Sequence, residues 1–195
     1  MKYYKLVKQI HTNHLLYVII SEDLRCYLKY YAYLCKVNYN SYQEMNFKEI
    51  LHKFRTESFT EREKGTKFER LMRSWLLTDP RYNELESVWL WEDFPGRNDF
   101  GGADTGIDLV AKTELGDYWA IQCKCYAEDS IIDKPAVDSF LATSSRTFTN
   151  EVTFQTARFS NRIWISTTNH WGANAEEAIR NQEPPVTRIG MADLD

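Results

Sequence analysis

Four side chains of this 195-residue sequence could together hold a hard cation and meet growing negative charge: Glu69, Asp108, Gln122 and Lys124. Mg²⁺ takes oxygen ligands in near-octahedral geometry, usually one or two carboxylates with waters and a substrate phosphate oxygen. Asp108 and Glu69 would supply charge and Gln122 a neutral carbonyl oxygen. Lys124, two residues on along the same strand face, would supply an ammonium for the phosphate or the attacking water. The chemistry such a set performs is phosphodiester hydrolysis, with Mn²⁺ able to substitute for Mg²⁺. The spacing Asp-x13-Gln-x-Lys is loose when taken alone: with variable gaps, such a pattern arises on the order of once per chain. Its weight comes from the elements that carry it.

A capping box, Thr60-Glu61-Arg62-Glu63, opens a helix with the apolar face Phe68, Leu71, Met72, Trp75 and Leu76, and Thr78-Asp79-Pro80 closes it. Glu69 sits beside that face. A β-prone run, Val88-Trp89-Leu90-Trp91, leads into a loop containing Pro95, Gly96, Gly101, Gly102 and Gly106. The loop delivers Asp108 within a strand over 107–111. A turn at 113–117 then folds a second strand, 118–125, back as a hairpin. Alternation puts Tyr118, Ala120, Gln122 and Lys124 on one face and Trp119, Ile121, Cys123 and Cys125 on the other. Pro135 opens a helix with Val137, Phe140 and Leu141, and Ile163-Trp164-Ile165 reads as a buried strand. Asn174 with Glu177 caps a helix through Ala178 and Ile179 that Pro184-Pro185 ends, and Val186 to Ile189 reads as a last strand. From residue 61 the order is α-β-β-β-α-β-α-β, an α/β (α+β) mixed sheet with helices against it.

The composition changes near residue 44. Residues 1–44 hold nine of the twelve tyrosines, no Phe and no Trp, and carry net charge +3, leaving -7 for residues 45–195 of a chain whose total is -4. Just beyond, Asn46 and Glu49 form a helix start, with Met45 placed to staple onto Ile50 and Phe47, Ile50, Leu51 and Phe54 on one face. We read 45–195 as the folded domain. Residues 1–44 are a Tyr-rich extension, either one or two packed helices or the product of an upstream start codon. His11 and His14 in it have no third ligand in view and read as surface residues.

With 43% hydrophobic and 27% charged residues, the composition excludes a disordered or collagen-like chain. No overall basic field draws it to nucleic acid, so any polyanion must be gripped locally. Four cysteines without a CxxC pair are too few for a disulfide framework, and the longest early apolar run, Leu15 to Ile20, is too short for a membrane span. The expected location is cytoplasmic, with no membrane partner.

Residues 60–190 resemble the PD-(D/E)XK nuclease superfamily, and within it the Mrr-like branch, in which Gln replaces the second acid. The resemblance is carried by Gly106-Ile107-Asp108 and Gln122-Cys123-Lys124, with Glu69 in the place of the first-helix acid. The stretches 101–108, 119–126, 163–168 and 174–178 are similar to the N-terminal nuclease region of large single-chain restriction enzymes and related DEAD/DEAH-type helicases. The resemblance implies a restriction-endonuclease-like core of order α-β-β-β-α-β and a Mg²⁺-dependent DNA endonuclease, the cleavage module of a restriction or DNA-processing system. It implies Asp108, Gln122 and Glu69 as metal ligands, Asp104 as an assistant, and Lys124 as charge stabiliser. Such enzymes carry a motor, and these residues contain no GxxxxGK[ST] loop, so a helicase or translocase encoded downstream or on another chain is the expected partner. Weak binding to plain DNA is expected accordingly.

Each residue also has a plainer reading. Glu69 could pair with Arg73 at i+4, Lys124 could be a solvated strand residue, Gln122 a hydrogen bonder on an exposed face, and Asp108 a cap for the glycine loop. On those readings the chain is a non-catalytic nucleic-acid or protein docking module that keeps the nuclease fold. Cys123 and Cys125 read as small apolar residues rather than zinc ligands. Trp89, Trp91 and Trp119 read as core, although one at a strand end could stack on an extruded base. Arg146, Arg158 and Arg162 read either as phosphate contacts or as solvated charge, and His170-Trp171-Gly172 is assigned no role.

Overall fold

The computed structural model describes residues 47–101 and 106–194. The extension 1–44, the Met45–Asn46 helix start and Asp104 lie outside the described residues. Helix α1, Phe47–Glu57, buries Phe47, Leu51 and Phe54. Helix α2, Glu61–Thr78, begins as its capping box requires: Thr60 Oγ1 accepts the Glu63 N–H at 3.0 Å. The Glu63 carboxylate reaches back to the N–H of Phe59 at 2.9 Å, one residue before the cap. Asp79 closes the helix, and Phe68, Met72 and Leu76 are its buried stripe.

The strands are β1 (Leu85–Leu90), β2 (Leu109–Thr113), β3 (Tyr118–Lys124), β4 (Thr147–Thr149), β5 (Thr156–Ser166) and β6 (Val186–Ile189). Helix α3, Lys134–Ser144, separates β3 from β4; α4, Ala173–Ile179, separates β5 from β6; and α5, Met191–Leu194, follows. The sheet order is β1-β2-β3-β5-β4, with β6 also on β5. β1, β2 and β3 form an antiparallel meander, while β3, β5 and β6 run parallel. Parallel neighbours need crossovers, and α3 and α4 supply them.

The sheet is therefore covered on both faces. Phe68, Met72 and Leu76 of α2 pack with Leu109, Ile121, Cys123 and Ile163 in one core, and Val137 and Phe140 of α3 pack with Val110, Ala120 and Trp164 in the other. The alternation along β3 holds, but the Gln122 face is not open to solvent: Gln122 is 1% exposed. Its reading as a hydrogen bonder on an exposed face is corrected by this second core.

Four further expectations change. Trp91 leaves the strand for a 3₁₀ turn, Trp91–Asp93, and its ring joins the second core. The glycine-rich loop is not featureless, since Pro95–Phe100 is 3₁₀ helix. Gly172, not Asn174, is the N-cap of α4, which ends at Ile179 well before the prolines. The short β4 and its hairpin with β5 have no counterpart in the sequence reading, because a three-residue strand is too short to show periodicity.

Candidate active site

Asp108 directly precedes β2 and is tied into the sheet by its backbone. Its N–H donates to Ile121 O at 2.9 Å, and its carbonyl accepts the Trp91 N–H at 2.8 Å. Its side chain turns to β3: Oδ2 accepts the side-chain N–H of Gln122 and, at 2.8 Å, the backbone N–H of Cys123. The expected pair thus meets, and the Cys123 amide is a partner that side-chain reasoning missed. With Nε2 committed to Asp108, Gln122 Oε1 faces elsewhere, and among the described residues no donor reaches this buried carbonyl oxygen. Buried acceptors are normally satisfied, so this one calls for a ligand.

Lys124 ends β3, half-buried and in register with Ser166 of the parallel strand β5. Among the described residues no carboxylate lies within ion-pair distance of its ammonium. Glu69 is half-buried on α2. Burial pushes the Cys123 thiol well above its usual range; the charges of Asp108 and Glu69 push it further, while Lys124 partly offsets them. One buried thiol thus feels both acids and the lysine, which approach it from α2, the β2 entry and the β3 exit. Arg73, which sequence spacing offered as the partner of Glu69, directs its Nε to Val88 O at 2.7 Å.

The loop that delivers Asp108 is seated by Gly106. Its φ is +74°, and a methyl group there would lie 2.8 Å from Ser139 Oγ and 2.9 Å from the Phe140 nitrogen. Only glycine combines that backbone with contact against α3. The requirement was visible as a glycine before the acid; the helix it rests on was not.

Two of the three arginines named from sequence, Arg162 and Arg146, have structural roles. Arg162 is 1% exposed, and its guanidinium donates to Ser144 Oγ, Ser145 Oγ and Pro184 O at 2.7–2.8 Å. It fits neither the phosphate nor the solvated reading. Arg146 donates to the carbonyls of Asp99 and Phe100 and lies over the Phe100 ring. Arg158 remains exposed on β5. Cys123 and Cys125 are free and buried, as small apolar residues should be. No described helix is long and apolar enough to cross a membrane.

The donor set is mixed, an amide oxygen beside carboxylates; among the described residues no three His, Cys, Asp or Glu side chains form a cluster that could hold a metal. The orphaned oxygen of Gln122, whose amide nitrogen is on the Asp108 carboxylate, fits a hard cation, which prefers such oxygens.

A helix, an antiparallel three-strand meander, a crossover helix and a parallel strand, with an acid before β2 and Gln-x-Lys closing β3, define a restriction-endonuclease-like fold. A sequence profile described as restriction endonuclease matches residues 77–195, and the chain belongs to that family. The matched segment contains Asp108, Gln122 and Lys124 and begins after Glu69. Among solved structures, the chain is similar to the ATP-dependent Type ISP restriction-modification enzyme LlaBIII bound to DNA. Identity is 28% and the TM-score 0.57 over 77% of this chain, which corresponds to 8% of that one. No curated protein matches.

Proposed function

We propose that this domain is a Mg²⁺-dependent DNA endonuclease, the cleavage module of a restriction or DNA-processing system. The observation that carries the reading is the buried Gln122 carbonyl oxygen without a donor, on a side chain whose amide nitrogen donates to Asp108. Asp108 and Gln122, with Glu69, would hold the cation, and Asp104 would assist. A bound divalent ion would supply Lewis-acid polarisation of the phosphoryl oxygen and a template for the attacking water. Lys124, with no carboxylate to neutralise it among the described residues, would stabilise charge accumulating on the phosphate. The Cys123 amide and the Gln122 amide hold Asp108 in orientation, so that little reorganisation accompanies the reaction.

DNA is the proposed substrate, in keeping with family membership and with the DNA-bound enzyme to which the chain is similar. That enzyme is ATP-dependent, which supports a motor, on the same polypeptide or another, as the partner that delivers this domain. The test is nicking of supercoiled plasmid. Cleavage should require Mg²⁺ or Mn²⁺ and be abolished by Asp108→Ala and by Lys124→Ala, with circular dichroism unchanged. Equal cleavage by both variants would move the active site elsewhere; absence of cation binding by titration would leave a docking module.

A further inference from the structure

We propose that a hollow at the carboxyl ends of β5 and β6 receives one unpaired base of the DNA strand held at the candidate site, an inference that rests on the nuclease reading. The hollow measures about 270 Å³ and is walled by Trp164, Ser166, Trp171 and Arg188, with Asn169 and Asp193 exposed at its rim. Pockets for drug-sized ligands run from about 300 to 1,000 Å³, so this one suits a single ring system. Its position ties it to the candidate site. Residues in register on parallel strands turn the same way. Gln122 lies beside Trp164, Trp164 beside Arg188, and Lys124 beside Ser166. The hollow therefore opens on the sheet face of Gln122 and Lys124, one strand spacing, about 4.8 Å, away.

The walls are flat and held. The Trp164 and Trp171 rings meet with centroids 5.4 Å apart, and the Arg188 guanidinium lies 4.2 Å from the Trp171 centroid. Glu176 accepts from both terminal nitrogens of Arg188, at 2.9 and 2.5 Å, which fixes the plane and matches its charge. The same contact keeps the Glu176 carboxyl below its usual range. With Arg188 neutralised and Asp193 at the rim, a phosphate gains little here. Fixed indole and guanidinium planes are instead the surfaces on which unpaired bases stack. Arg81 lies similarly over Trp75 and on Asp79, but Trp75 packs in the opposite core.

One wall also lacks a partner. Trp164 is 1% exposed, and among the described residues its indole N–H has no acceptor. Its in-register neighbour Gln122 carries the orphaned carbonyl oxygen, so a buried donor and a buried acceptor stand on adjacent strands without bonding to each other. Buried polar atoms are normally satisfied. The Gln122 oxygen fits the cation; the Trp164 N–H fits the ring nitrogens and carbonyl oxygens that line the edge of every base. The Trp91 indole lacks an acceptor too, but its ring packs with Phe94 and Phe100, outside this hollow.

The experiment is metal-free fluorescence anisotropy of the full chain at about 50 mM salt, on a DNA duplex carrying one bulged adenine and on the same duplex with an abasic bulge. An unpaired base costs least to extrude. Stacking should make the adenine bulge bind tighter than the abasic one by about fivefold or more. Arg188→Lys keeps the charge and loses the plane; Trp164→Phe keeps a ring and loses the N–H. Each should lower that ratio by about threefold or more while binding the abasic duplex like the wild type. Equal binding of the two duplexes by the wild type, a ratio unmoved in either variant, or no binding up to about 100 μM protein overturns the proposal. So does full displacement of the adenine duplex by an equal concentration of free adenosine, or tighter binding of the same bulge in RNA. Failure of the nuclease reading shows separately, as plasmid nicking that survives both Asp108→Ala and Lys124→Ala, because the ratio is read without metal or cleavage.

Discussion

Asp108 and Gln122, fourteen residues apart in sequence, are joined across the β2–β3 hairpin: one carboxylate oxygen accepts both the Gln122 amide and the Cys123 backbone N–H. Gln122→Glu would replace a donor with a second buried carboxylate against the first. Like charges in a site 1% exposed oppose ionisation of both. We expect a loss of about 2 kcal/mol of stability in EDTA, largely recovered in saturating Mg²⁺. Urea denaturation with and without the cation reads this; a loss that Mg²⁺ leaves untouched would argue against a shared ligand.

Gly106→Ala tests the seat of the loop. The added methyl meets α3 within 3 Å on a backbone of positive φ, so the loop must move or the helix must yield. A loss of about 1–3 kcal/mol is expected. Nicking per folded molecule should fall as well, because Asp108 lies two residues further on. Normal nicking with normal stability would show that the loop tolerates displacement.

Arg162→Ala should affect folding and leave chemistry alone. Three hydrogen bonds from a buried guanidinium tie β5 to the end of α3 and to the segment before β6. Their loss, with the cavity left behind, should destabilise by about 2–4 kcal/mol. Plasmid nicking below the melting transition should match the wild type, and a selective loss of nicking would restore the phosphate role.

Stability should decline in alkali. Burial raises the thiols of Cys123 and Cys125 above their usual range. In the unfolded chain a thiol ionises above about pH 8.5, while in the folded chain it stays protonated. The contribution is thus complete below that pH and is lost as pH rises, at up to about 1.4 kcal/mol per unit for each thiol. Denaturation at several pH values from 7 to roughly 10 should show the fall, and Cys123→Ala should make it shallower.

Much of this architecture can be read along the chain because it depends on neighbours. The Thr60–Glu63 box, the helix stripe at Phe68, Met72 and Leu76, and the alternation through Gln122 and Lys124 are all set within a few residues by the periods of helix and strand. So is β6, found at Val186–Ile189 as expected. Other features arise only when distant segments meet. Gln122 is buried because α3, ten or more residues later, packs over its strand face, which a half-polar alternation cannot announce. Arg162 looks like any surface arginine until α3 and Pro184 close around it, and Arg55 reaches Tyr126 across 71 residues. Local periodicity records which face a residue takes; the path of the chain decides what covers that face, and with it which polar atoms are satisfied and which are left to a ligand.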